Sequence, residues 1–350
     1  MILVTCRITE VISITMLSKP IVAGLLGAGH IGKMHAENII FHFPDVLLKA
    51  VAGPNLDENW AESMGIPEHF SDANAVIHDS EIEAVVIAAP SPAHVALIKS
   101  SAQNGKHIYC EKPVSFEPEG VVEAIEAVEA AGVLFQVGFN RRFDPSFMRV
   151  REIVRSGKIG TTHVIRITNR DPKRPTAEYV ARSGGLFFDF CIHDFDMARY
   201  ISGCEVEKVY SAGAVLIDPE IEKLGDIDTA LITLQMTDST LCVIDVSRET
   251  NYGYDQQLEV FGSKGSIRAL NTTPTSTILS TAKGVFTDKL HYSFVERYRE
   301  AYVTELREFF TSIRNQTPPT VTGQDALQAV KIARAAELSF KKNRPIMVER

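Results

Sequence analysis

The sequence predicts an α/β fold in two parts: an N-terminal doubly wound parallel sheet, then an α+β domain with a large, mostly antiparallel sheet. Three observations carry this prediction. Buried apolar strands alternate with helices as far as Phe139, the pattern of βαβ units. A glycine turn, Gly27-x-Gly29-x-x-Gly32, sits between the first strand and the first helix. Farther on, alternating segments at 206–215, 227–236, 240–249, 256–262 and 266–270 succeed one another with few helices between, as antiparallel strands do. A chain of 350 residues is too long for one ordinary core, and the pattern changes near residue 140.

In chain order, residues 1–19 start apolar but lack the basic start, long apolar centre and small-residue cleavage site of a signal peptide. They read as an N-terminal extension without assigned function. A buried strand at 21–26 runs into the glycine turn, and a helix follows. Gly27 permits the tight turn, Gly29 lets the backbone approach a pyrophosphate, and Gly32 lets the helix pack close to the sheet. The free N–H groups at the helix start, near His30 and Ile31, suit phosphate. The second strand, 46–52, ends at Gly53, where a carboxylate that accepts from ribose hydroxyls is expected. Gly53 cannot repel a ribose 2′-phosphate, and no arginine follows to attract one, so NAD is expected and NADP is possible. Strands at 84–89 and 107–110 deliver Pro90, Ser91 and His94, then Glu111 and Lys112, to the carboxyl edge of the sheet, where ligands bind. The Lys112-Pro113 bond is a candidate cis peptide. A helix at 117–131 and a strand at 134–139 complete this half.

A polar turn, Asn140-Arg141-Arg142-Phe143-Asp144, opens the second half, with a helix to about Arg155 and a strand at 162–169. The stretch 184–200, GGLFFDFCIHDFDMARY, reads as a helix entered through a glycine pair. Asp189 and His193 are four apart and share one helical face, with Asp196 near it. A carboxylate and an imidazole in apolar surroundings make a proton-transfer pair; a buried histidine in a core helix is the other reading. Helices at about 294–315 and 322–341, separated by Pro318-Pro319, close the chain.

GLLGAGHIGKMHAENI at 24–39, EKPVSF at 111–116, GFNRRFDPSF at 138–147, the stretch at 184–200 and NYGYDQQLEVFGSKGSI at 251–267 together carry a resemblance. From Lys19 to its end the chain resembles the glucose–fructose oxidoreductase/inositol dehydrogenase family, and within it most the inositol 2-dehydrogenases. That resemblance implies a dinucleotide-binding Rossmann domain over 20–140 and an open-faced sheet domain for substrate binding and oligomerisation over 141–350, assembled as a homo-oligomer, commonly a tetramer. It implies Lys112, Asp189 and His193 as the catalytic residues. It sets Asn140, Arg141, Asp171 and Tyr254, with Asp189 and His193, against a polyol. The implied reaction moves a hydride between a ring carbinol carbon of an inositol and NAD(P), giving a keto-inositol. His193 would take the hydroxyl proton, Asp189 orient the imidazole, and Lys112 stabilise the developing alkoxide.

Hydrophobic content of 45% and charged content of 23% are those of a soluble globular protein. A net charge of −8 gives no reason to expect nucleic acid. No apolar run approaches the ~20 residues that span a bilayer. Five cysteines without paired spacing suggest a reducing, cytoplasmic setting, and no metal-ligand spacing is visible. Two other readings share the scaffold. One is a dehydrogenase of another sugar or polyol. The other is an NAD(P)-binding regulator without turnover, which would be expected to lack Lys112, Asp189 or His193.

Overall fold

In β1 (Ile21–Leu26) every residue is buried, because strands pair with it on both sides and helices cover both faces. The computed structural model describes residues 19–349, so the expectations for residues 1–18 lie outside it. After β1 come α1 (His30–His42), β2 (Val46–Ala52), α2 (Glu58–Ser63), β3 (Glu68–Phe70), α3 (Ala73–Ile77), β4 (Ala84–Ile87), α4 (His94–Gln103), β5 (His107–Glu111), α5 (Pro118–Ala131) and β6 (Phe135–Gly138). The sheet is parallel throughout, in the order β3-β2-β1-β4-β5-β6. That order reverses between β1 and β4, which opens a ligand crevice at the carboxyl ends of the strands. Sequence pattern did not reveal β3, whose three half-buried residues are too few to show a periodicity.

The second half contains α6 (Pro145–Arg155), β7 (Thr162–Arg170), α7 (Ala177–Ser183), α8 (Ile192–Ser202), β8 (Val206–Ala214), α9 (Pro219–Lys223), β9 (Thr229–Met236), β10 (Leu241–Ser247), β11 (Asp255–Gly262) and β12 (Gly265–Ala269). A hairpin of β13 (Ile278–Thr281) and β14 (Gly284–Thr287) follows, then α10 (Phe294–Arg297), α11 (Arg299–Asn315), α12 (Gly323–Lys342) and β15 (Ile346–Met347). The large sheet runs β12-β11-β7-β10-β9-β8-β15, antiparallel except where β7 meets β10. Alternation sends Cys242, Ile244 and Val246 of β10 into the core and leaves Leu231, Leu241 and Phe261 exposed on the opposite face. The hairpin escaped the sequence reading because it has no buried face to pattern it.

Two differences from the sequence reading bear on the site. First, α11 returns to the N-terminal half: Leu306, Phe309 and Phe310 pack with Ile21, Leu25 and Ile39, so the hydrophobic packing crosses the line drawn at residue 140. Second, the stretch 184–200 is not one α-helix. Leu186–Phe190 forms a π-helical turn, and α8 begins only after Cys191. Among the described residues no helix is long and apolar enough to cross a membrane.

Candidate active site

The cofactor end is built by the glycines. Gly27 has φ 102°, a left-handed value that favours glycine, and its N–H donates to Ala52 O at 2.8 Å. A Cβ on Gly32 would lie 1.9 Å from Gly27 O, whereas one on Gly29 would meet nothing within 4 Å. Gly29 caps α1 with no side chain on the first-turn amides, and that turn contains no acid. Open space in front of free helix N–H groups fits a dinucleotide pyrophosphate. His30 is exposed, its ring edge against Phe294 of α10 at 5.8 Å, and Ile31 is half-buried. Gly53 follows the end of β2, and a Cβ there would lie 3.6 Å from Ala28 N. Pro90 and Ser91 open the 3₁₀ turn after β4, at the crevice.

Two residues expected at the cofactor also make contacts within the fold. His94 is 1% exposed, and its ring nitrogens face Pro113 O at 2.8 Å and Ala89 O at 2.7 Å. It braces the turn after β5 against the end of β4 and has no ring nitrogen left for a ligand. One carboxylate oxygen of Glu111 faces the fold, Oε1 lying 2.7 Å from His35 Nε2 and accepting from Tyr109 Oη at 3.3 Å. Glu305 joins this cluster, and the ligand-capable atoms of His35, Glu111 and Glu305 lie within 4.8 Å of one another.

The Lys112-Pro113 bond is cis, and Lys112 Nζ donates to Asp189 O at 2.8 Å, 3.8 Å from Asp189 Oδ1. Asp189 Oδ1 accepts from Tyr179 Oη at 2.8 Å, and Oδ2 accepts from Arg248 Nη1 at 3.2 Å. None of these bonds reaches His193, whose Nδ1 is buried without a partner. The expectation that Asp189 orients the imidazole is therefore corrected. The π-helical turn breaks the four-residue helical register and aims the carboxylate at Lys112 and Arg248 instead. Burial, helped by Lys112 and Arg141, holds His193 well below the usual histidine range, so the imidazole is neutral at neutral pH. Asp196, expected near this face, instead pairs with Arg142 at 2.8 Å.

The remaining wall comes from the ends of strands. Asn140 is 2% exposed at the start of the 3₁₀ turn after β6. Arg141 Nη1 donates to Asp194 Oδ1 at 2.6 Å, and Asn169 Nδ2 donates to Asp194 Oδ2 at 2.7 Å. Gln256 and Tyr298 extend this buried network behind Arg141. Tyr254 packs edge-on to Tyr298 with centroids 6.1 Å apart. Asp171 follows β7, its N–H donating to Ser247 O at 3.0 Å. Burial raises its carboxyl to about 7 and the Asp189 charge adds to this, against the pull of Arg248, Arg141 and Lys112.

A model described as "Oxidoreductase family, NAD-binding Rossmann fold" matches residues 21–139, and one described as "GFO/IDH/MocA C-terminal domain" matches residues 147–268. The chain belongs to the GFO/IDH/MocA oxidoreductase family. It is 48% identical to an uncharacterised oxidoreductase of Bacillus subtilis, over 95% of this chain and 98% of that one. It is 42% identical to a myo-inositol 2-dehydrogenase of Thermotoga maritima, over 93% of this chain and 98% of that one. The solved structure of a Lactobacillus casei scyllo-inositol dehydrogenase, with NAD(H) and scyllo-inositol bound, superposes with a TM-score of 0.89 at 32% identity, covering 94% of this chain and 99% of that one.

For this GFO/IDH/MocA member, sequence reading passed over Tyr179, Arg248, Asp194 and Asn169. Arg248 left a legible signal: it continues the inward alternation Cys242, Ile244, Val246 at the end of β10. Tyr179 left none, since α7 is a short helix in a polar connection.

Proposed function

We propose that this enzyme oxidises a ring hydroxyl of an inositol to the keto-inositol, with NAD as the hydride acceptor. The observation that carries the reading is the meeting of Lys112, from the sheet edge of the dinucleotide-binding half, with Asp189 of the second half. His193 and the polar wall of Asn140, Arg141, Asp171 and Tyr254 complete the constellation. The similarity to inositol dehydrogenases supports the choice of substrate.

Bound NAD supplies the electrophilic carbon that takes the hydride. The chain's own residues do the rest. Neutral His193 accepts the hydroxyl proton. Lys112 donates to the same oxygen as negative charge develops there. Asp189 accepts from Tyr179 and Arg248 and lies beside Lys112, so it positions the ammonium. Alternating hydroxyls of a cyclitol need both donors and acceptors, which the wall residues supply.

NAD is the preferred cofactor, with NADP accepted less well. Gly53 removes the usual carboxylate, and the nearby Asp57 already accepts from Trp60 N and, at 3.2 Å, from Lys33. The exposed apolar residues on the open sheet face support a homo-oligomer, a tetramer by family likeness. The free thiols of Cys110, Cys191, Cys204 and Cys242 support a cytoplasmic setting. The test of the reaction is product identity: incubation with NAD and myo-inositol should yield a ring ketone by NMR, and its absence alongside oxidation of another polyol would redirect the substrate.

A further inference from the structure

Among the described residues Arg248 is the largest fully buried side chain, 1% exposed, yet two of its nitrogens, Nε and Nη2, have no hydrogen-bond partner. Burying a guanidinium this way costs folding free energy unless its charge is matched. Its matches are carboxylates. Nη1 donates to Asp189 Oδ2 at 3.2 Å, Nη2 lies 3.7 Å from Asp226 Oδ2, and Asp171 also feels its charge. The Phe190 ring covers it at 5.7 Å.

These contacts hold one small element, the π-helical turn. Asp226 Oδ1 accepts from Leu186 N at 3.0 Å at the start of that turn, and Arg248 grips Asp189 near its end. Gly185 makes the first grip possible: it has φ 82°, and a Cβ there would lie 2.9 Å from Asp226 Oδ1. Tyr179 Oη holds the other carboxylate oxygen from the solvent side.

We propose that Arg248 is a positioning residue for the dehydrogenation, anchoring the Asp189 carboxylate from beneath so that it serves Lys112 rather than His193. This rests on the dehydrogenase reading above. It assigns catalytic importance to a fully buried residue that acts through the Asp189 carboxylate. It also divides the site's labour: proton acceptance by His193 alone, and ammonium placement by Asp189 with Arg248 and Tyr179.

The test is a double-mutant cycle in the full-length enzyme, using Arg248→Met, Asp189→Asn and both together, with kcat, KM and NAD affinity measured for each. Arg248→Met is expected to lower kcat about tenfold with NAD affinity unchanged, and to add little once Asp189 is Asn, because contacting residues couple on this scale. Arg248→Lys should recover part of the loss. Equal losses from Arg248→Met in both backgrounds, or a loss confined to thermal stability, would overturn the proposal. If Arg248→Met does not fold, Tyr179→Phe and Arg248→Lys run the same cycle against Asp189→Asn, with additive losses again decisive. The cycle uses whichever polyol the parent oxidises: inactivity on inositols alone overturns the substrate, additivity overturns the arginine's role, and inactivity on every alcohol removes both.

Discussion

Lys112 Nζ donates to the backbone oxygen of Asp189 at 2.8 Å and stands 3.8 Å from its carboxylate. One residue follows the end of β5 and the other rides the π-helical turn before α8, so a single ammonium joins the two halves across the crevice. An ion pair of this length at a partly exposed site contributes little to stability. Its importance is positional.

Lys112→Ala and His193→Ala are each expected to lower turnover by about 10²–10⁴-fold, the usual loss of a positioned acid–base group, while NAD still binds. Because burial and the nearby cations depress the His193 pKa, the imidazole stays neutral down to pH values below 6.5. The acid-side loss of kcat/KM that it causes should therefore lie below pH 6.5 and vanish in His193→Ala. Near-parental turnover in either variant would remove that residue from the reaction.

The glycine turn separates binding from folding. Gly29→Val projects into open space and should leave the thermal melt almost unchanged while abolishing NAD binding by calorimetry. Gly32→Ala should do the reverse first and destabilise the fold, because its Cβ meets Gly27 O at 1.9 Å. A Gly29→Val protein with normal NAD affinity would make the turn purely structural.

Asp171 offers a stability test with a definite sign. Its carboxyl is raised from an ordinary 3.8 to about 7, so between those values the folded state holds a proton that the unfolded state has lost. Relative to Asp171→Asn, the parent should therefore lose stability as pH rises from about 4 to about 7, then level off. Denaturant melts across that range provide the comparison. A parent that gains stability over the same interval would place Asp171 in an ion pair instead of a desolvated pocket.

Much of this was legible in the sequence. The glycine turn and the βαβ alternation give the strand order its logic, and Lys112 stood out as a lysine between a buried strand and a proline. The placement of Asp189 was not legible, because i,i+4 spacing assumes one continuous α-helix. The glycine pair with φ values of 84° and 82°, and the Asp226 contact at Leu186, wind a π turn instead. The return of α11 to the N-terminal core was hidden for a different reason: its apolar stripe shows that it must be covered but not by what.

Gly53→Asp is expected to raise the NAD-to-NADP ratio of catalytic efficiencies, mainly by weakening NADP. The site has room, since a Cβ there comes no closer than 3.6 Å to Ala28 N. The parent should accept both cofactors with NAD ahead. Strong rejection of NADP by the parent would show that another group, such as the Asp57 carboxylate, already performs the missing acid's task.

The most direct measurement is kcat/KM for reduction of NAD across a panel of inositol isomers and hexoses, read by the absorbance of reduced nicotinamide. Oxidation of myo-inositol or scyllo-inositol at least tenfold more efficiently than any hexose, about 1.4 kcal/mol in transition-state binding, is the expected result. A hexose or open-chain polyol preferred over every inositol, or no oxidation of any inositol, would contradict the proposed substrate.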